Sequence, residues 1–248
     1  MDDETLPNTW GLVNMSKGVF YMHYRVFVLI LFLFLPIRSV LASELDPPEA
    51  VGDLALEVDA YSFLGDEGLY EEVAIRFPAA SLTFVPLGDS LLIARYAPRL
   101  HVFDHNDNLI KKVEGERQYT LPSSISVTDH FVDDITRFQL APGHYRAIMV
   151  VEAVDNARVG RATFSIDIPK HETGKLFLSD LFFYRNKQAP DPNLEMSSFE
   201  KAGHVLLPAP TREFVLDGSL DFYVGLSEIG QLAHRMRFQI LDVFGQAV

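Results

Sequence analysis

LAPGHYRAIMVVEAVDNARVGRATFSIDIP, residues 140–169, decides the fold class. Pro142-Gly143 makes a turn, because proline fixes its own backbone and glycine accepts conformations closed to other residues. Tyr145, Ala147, Met149 and Val151 then fall at alternate positions. Asp155-Asn156 turns the chain again. Phe164, Ile166 and Ile168 follow, interleaved with Thr163, Ser165 and Asp167. Side chains on a strand point alternately to the two faces of a sheet. The stretch therefore predicts two strands, each with one apolar face.

The same period of two recurs outward from this hairpin. Leu54, Leu56, Val58 and Ala60 share a face, as do Val73, Ile75 and Phe77. Leu220, Phe222 and Val224 line up, and Met236, Phe238 and Ile240 repeat the pattern. No long stretch has helical periodicity, and Pro and Gly punctuate the runs, as at Pro190-Asp191-Pro192. Many short alternating strands separated by turns predict an all-β fold of β-sandwich type.

Composition narrows the function. The 248 residues are 48% hydrophobic, with 19 Phe and 9 Tyr, enough to fill a core. The net charge is -13, and no basic run is present. Nucleic acid and anionic membrane surfaces call for clustered Lys and Arg, so neither is expected as the main partner. Cysteine is absent, which removes disulfides, thiol catalysis and thiolate metal sites.

The N-terminal region reads as an address. Arg25 precedes a continuous apolar run from Val26 to Ile37, 12 residues long. A bilayer span needs about 20, whereas a signal-peptide core is this short. Val40-Leu41-Ala42 has the spacing for cleavage between Ala42 and Ser43. The expectation is export with removal of this segment; an uncleaved form would touch membrane only through it. Asp2, Asp3 and Glu4 do not suit the start of a signal peptide, so Met15 or Met22 is expected to be the true start.

Leu82–Ile110 aligns without a gap on Leu220–Val248. Leu82 meets Leu220, Phe84 meets Phe222, Arg99 meets Arg237 and Asp104 meets Asp242. This internal repeat bears on DHNDN, residues 104–108, whose oxygen-bearing side chains at alternate positions resemble the start of a calcium loop. The second copy reads DVFGQ there, which keeps only the aspartate. A turn survives that exchange and a calcium site does not. The first copy also has Leu109 where a calcium loop has glycine, and Gly115 where it has a bidentate Glu. Both are predicted to be hairpin turns.

The expected organisation is an N-terminal extension and signal peptide over 1–42, a β-sandwich domain over 43–169, a polar linker over 170–175 and a second β-sandwich domain over 176–248. Val248 corresponds to Ile110 of the first copy, so the second unit is expected to be incomplete and the chain to be a fragment.

LAPGHYRAIMVVEAVDNARVGRATFSIDI, LFLSDLFFYRN with Leu178-Ser179-Asp180, and LDFYVGLSE together resemble the N-terminal, non-catalytic region of exported bacterial proteins named for a C-terminal GWxTD motif. The naming motif is absent; Trp10 is the single tryptophan. The resemblance implies tandem immunoglobulin-like sandwiches in a bacterial cell envelope, and no characterised chemistry.

Candidate chemical groups are few. Thr128-Asp129-His130 with Asp133-Asp134 matches no motif of known mechanism, and an acidic surface loop is expected. His144 reads as a turn residue. Ser179-Asp180 reads as a strand end whose side chains bond the local backbone. Arg95, Arg99, Arg235 and Arg237 read as solvent-facing strand positions paired with carboxylates. The expectation is therefore a non-enzymatic module with no cofactor, exported to the periplasm or cell surface, whose partner is an envelope protein or a glycan. The alternative is a set of accessory domains of a larger exported enzyme with its catalytic part beyond residue 248. A calcium-dependent adhesin is a third reading, resting on DHNDN alone.

Overall fold

The hairpin that opens the sequence argument forms two long antiparallel strands in the computed structural model, which describes residues 11–14, 49–189, 199–212 and 220–227. The strands in chain order are β1 (Gly11–Asn14), β2 (Glu49–Gly52), β3 (Glu57–Gly65), β4 (Gly68–Pro78), β5 (Val85–Leu87), β6 (Leu91–Phe103), β7 (Leu109–Glu114), β8 (Arg117–Pro122) and β9 (Phe131–Phe138). They continue with β10 (Gly143–Ala153), β11 (Val159–Ile168), β12 (Phe177–Leu178), β13 (Phe182–Gln188), β14 (Glu200–Lys201), β15 (His204–Pro208), β16 (Asp221–Val224) and β17 (Leu226–Ser227). Only single turns of 3-10 helix interrupt them among the described residues. The fold is an all-β sandwich.

β10 and β11 pair from Gly143 opposite Ile168 to Glu152 opposite Val159. They are central in a seven-stranded sheet ordered β2-β11-β10-β6-β5, with β7 and β8 end to end along the other side of β6. The predicted alternation is realised: Ala147, Met149, Val151, Phe164, Ile166 and Ile168 all point into one core. Tyr145 packs against that core and donates its hydroxyl hydrogen bond to the Ala141 carbonyl at 2.8 Å. It thereby locks the turn before the strand, as tyrosine corners do in sandwich folds. Gly160 is required by close approach, since a Cβ there would lie 2.5 Å from the Leu54 carbonyl oxygen.

β3, β4 and β9 form a three-stranded sheet that covers this core from the other side. Val58, Val73, Ile75, Phe77 and Val132 are its inward residues. Its opposite face is also buried. There Tyr61, Phe63, Ala74 and Ile135 form a second core with Phe182, Tyr184, Phe199, Val205, Leu206 and Tyr223. Those partners come from a further sheet ordered β1-β16-β13-β15-β14. The middle sheet thus has hydrophobic cores on both faces, and strand β4 buries Glu71, Glu72, Val73, Ala74 and Ile75 in succession.

The repeat alignment meets a difference where it can be checked. Asp221–Val224 is a strand, whereas Leu82 to Phe84 precede β5 and are not in one. Phe222, Tyr223 and Val224 are all buried, because β16 has covered groups on both faces. The strand around Met236, Phe238 and Ile240 and the turn at Asp242 lie outside the described residues, as do Ala42 and Ser43, Arg235 and Arg237, and the apolar run from Val26 to Ile37. Among the described residues, no helix is long and apolar enough to cross a membrane.

Candidate functional site

The polar side chains with unusual environments gather along the middle sheet. Asp59 of β3, Glu72 of β4 and Asp133 of β9 lie on its second face, and each meets a cation from the layer above. Arg212 forks onto Asp59 with Nε at 2.7 Å and Nη2 at 2.8 Å from the two carboxylate oxygens. Lys201 Nζ lies 2.7 Å from Glu72 Oε2, and Arg185 pairs with Asp133. Three ion pairs thus cross from carboxylates of the middle sheet to cations of the layer above, and Arg76 and Arg137 add cations on the middle sheet's own face. Glu72 is wholly buried and takes a second donor, Arg137 Nε, at 2.6 Å. Lys201 is 5% exposed, and its ammonium sits 4.3 Å from the Phe63 ring centroid. Burial pulls the Lys201 ammonium below its ordinary range, and Glu72 opposes that pull. A charge this deeply desolvated persists only where it is paired.

Asp133 and Asp134 correct one expectation. They are strand residues of β9, not an acidic surface loop. Burial raises both above the usual aspartate range. Asp134 faces the first core, where Arg117 Nη1 at 2.6 Å and the Tyr96 hydroxyl at 3.0 Å donate to it. His130 is not directed at either carboxylate; its Nδ1 lies 3.0 Å from the Ser126 carbonyl. These three groups are thus parted among separate structural contacts.

Glu71 is the most perturbed acid. It is 1% exposed, and Ser62 Oγ donates to its Oε2 at 2.9 Å. Its Oε1 finds no hydrogen-bond partner among the described residues. Burial pushes this carboxyl up to about 8, with Asp180 and Glu72 adding to the rise and Ser62 opposing it. With the carboxyl near 8, most of this group keeps its proton at pH 7. Sequence pattern misses it because Glu71-Glu72 resembles the end of a solvated strand.

Ser179 and Asp180 do what a strand end predicts, and more. Ser179 Oγ donates to the Asp180 carbonyl at 2.9 Å and accepts from the Gly225 amide at 2.7 Å. Asp180 Oδ2 accepts from the Ser62 amide at 2.7 Å, and the Asp180 amide donates to the Ser62 carbonyl at 3.1 Å. The pair therefore pins the chain between β12 and β13 to the outer edge of β3.

DHNDN is the β6–β7 turn. Asp104 Oδ1 accepts from the amides of Asn106 at 2.8 Å and Asn108 at 2.9 Å, and Oδ2 accepts from the Asn108 side chain at 3.0 Å. These donors, the Asn108 side chain first, hold the Asp104 carboxyl below its usual range. Asp107 adopts φ 61, a left-handed turn conformation, and its carboxylate accepts from Arg146 at 2.7 Å. Both oxygens of the first candidate ligand thus organise the turn.

The remaining candidates lie on the outer face of the seven-stranded sheet. Arg95 pairs with Asp155 at 2.6 Å and Glu116 at 3.3 Å, and Arg99 pairs with Glu152. His144 stands opposite Asp167 across β10 and β11, 2.5 Å from its carboxylate. This face can present a mixed polar surface to a partner. Comparison with protein-family models finds no match for the chain, and comparison with curated proteins finds none either.

Proposed function

We propose that this chain is an exported, non-catalytic binding or structural module of the bacterial cell envelope, acting through the surfaces of its β-sandwich. The observation that carries the reading is the broad seven-stranded sheet, whose inner face fills a core and whose outer face, buried at Ile148 in its centre, exposes Arg95, His144, Arg161, Ser165 and Asp167 to solvent. Antiparallel sheets of this kind leave one face for solvent or a partner. In keeping with it, the His, Asp and Ser groups singled out from sequence make turns, ion pairs and backbone contacts. The apolar run after Arg25 and the small residues at Ala42-Ser43 support export. The resemblance to the GWxTD-named proteins supports tandem immunoglobulin-like units and an envelope location. The partner on this reading is an envelope protein or a glycan.

The test is expression of the full chain in a bacterium, with N-terminal sequencing of the exported form and photo-crosslinking from the outer sheet face. A mature end at Ser43 and a discrete cross-linked species are expected. Retention in the cytoplasm, or an outer face that cross-links to nothing, overturns the reading.

A further inference from the structure

The hairpin of β5 and the start of β6 carries an apolar cluster that the cores do not absorb. Val85 stands opposite Ile93, and Leu87 opposite Leu91. On the other side of β6, Leu91 stands opposite Pro122 and Ile93 opposite Thr120. Directly opposed residues share a face of the sheet. Val85, Leu87, Leu91, Ile93 and Pro122 therefore form one contiguous surface, with exposures of 51% at Val85, 47% at Leu87 and 39% at Leu91. The reverse side of this flap is anchored: Leu121 is buried, and Phe84 meets Tyr119 edge to face at 6.4 Å. A further rung, from the Ser123 amide to the Ser90 carbonyl at 2.8 Å, extends the β6–β8 pairing to the hairpin tip. The apolar surface is thus held in place rather than free to fold back. Contiguous exposed apolar surface of this kind marks interaction sites.

Chemistry on and around the flap selects the occupant. β5 is three residues long and contains Pro86, which has no N–H to offer, so strand addition at this edge is disfavoured and contact falls to the side-chain face. The neighbouring cation, Arg95, is already paired with Asp155 and Glu116. Asp89 at the hairpin tip is exposed and makes no ion pair with a described residue. Among the described residues, the charge left uncompensated at this hairpin tip is therefore negative, on a chain of net charge -13. A second copy or an anionic bilayer brings like charge to it. We infer that this flap is the docking surface for a segment of a partner protein whose apolar side chains are flanked by lysine or arginine. The inference rests on the reading of the chain as a binding module and names the face it uses. A cluster of five side chains is smaller than the roughly 800 Å² per partner of a stable interface, which suits a short segment.

The probe is a fluorescein-labelled peptide, Lys-Lys-Leu-Val-Val-Leu-Lys-Lys, titrated with the full chain by anisotropy. Companion peptides replace its lysines by glutamate, or its apolar residues by serine. Saturable binding of the lysine-flanked apolar peptide is expected, weakened at least tenfold by Val85→Ser with Leu91→Ser and at least fivefold by Asp89→Lys. These positions are exposed, so circular dichroism of the variants should match the parent. Equal binding to parent and double variant, no binding, or equal binding of the glutamate peptide overturns the inference. So does co-sedimentation with phosphatidylcholine vesicles, or a dimer, that only the double variant loses. If the double variant keeps the envelope cross-links of the parent, the flap is wrong and the module reading stands. If the parent cross-links to nothing, the module reading itself fails.

Discussion

Replacing Glu71 by Gln should flatten the pH dependence of stability. The carboxyl lies at about 8 in the folded protein against 4.5 in the unfolded reference. Its folded value is raised, so the native state holds a proton that the unfolded chain has released between those limits. The stabilisation is whole below pH 4.5, shrinks as pH rises, and is gone above about pH 8. At about 1.4 kcal/mol per pH unit, the full range is on the order of 5 kcal/mol, with about 3 already lost at pH 7. Asp133, Asp134 and Asp180, also raised by burial, contribute with the same sign in parent and variant. Gln has the shape of the neutral acid and keeps an acceptor for Ser62 Oγ, but it never ionises. Its extra N–H bonds, where Glu71 Oε1 has no partner, cost about 1–3 kcal/mol at low pH. Urea unfolding followed by circular dichroism at pH 5, 6, 7, 8 and 9 measures this. Between pH 5 and 8 the parent should lose about 1.4 kcal/mol per pH unit more than Glu71→Gln, and the two curves should converge or cross. Parallel curves would refute the assignment of a buried, protonated Glu71.

Further outcomes follow from other positions. Lys201→Met leaves the wholly buried Glu72 with Arg137 alone, and should destabilise the fold by about 3–5 kcal/mol; adding Glu72→Gln should recover part of that loss in the same urea assay. Gly160→Ala drives a Cβ to 2.5 Å from the Leu54 carbonyl, and should cost about 1–3 kcal/mol, read as a lowered Tm. Asp104→Ala removes the acceptor for the Asn106 and Asn108 amides. Faster hydrogen exchange at those two amides is expected, and calcium should produce neither binding heat nor a thermal shift in the parent; calcium binding to Asp104 would contradict the turn assignment.

The first core was legible because its information is local. In residues 140–169, alternation and two turns specify strand, face and partner within one hairpin, and β10 and β11 pair accordingly. The DHNDN turn was legible for the same reason, since Asp104 bonds residues two and four positions on. The second core was not. In Glu71-Glu72-Val73-Ala74-Ile75, charges interleaved with apolar residues read as a one-sided strand, whereas both sides are covered. What decides the matter is Lys201, 129 residues from Glu72. A buried ion pair looks like solvated surface until its other half is found. Asp133 and Asp134 misled for that reason, as their arginine partners at positions 185 and 117 carry no local signature. Ser179-Asp180 was half legible: its backbone bonding follows from residue type, but its hold on Ser62 across 118 residues does not.

The doubly covered middle sheet also sets an order of events during synthesis. Its three strands are complete once Phe138 has been made, and the first core can close when β11 follows. Tyr61, Phe63 and Glu72 must then wait for Phe182, Lys201 and Tyr223. At roughly 5–20 residues per second, the stretch from Phe138 to Lys201 corresponds to about 3–13 s of translation. Throughout that interval a half-finished chain displays an aromatic face whose central acid has Arg137 as its one partner in the sheet. Such an intermediate is sticky to chaperones and to its own kind. A pause in elongation before residue 177 should prolong that exposure, whereas one after residue 227 should not.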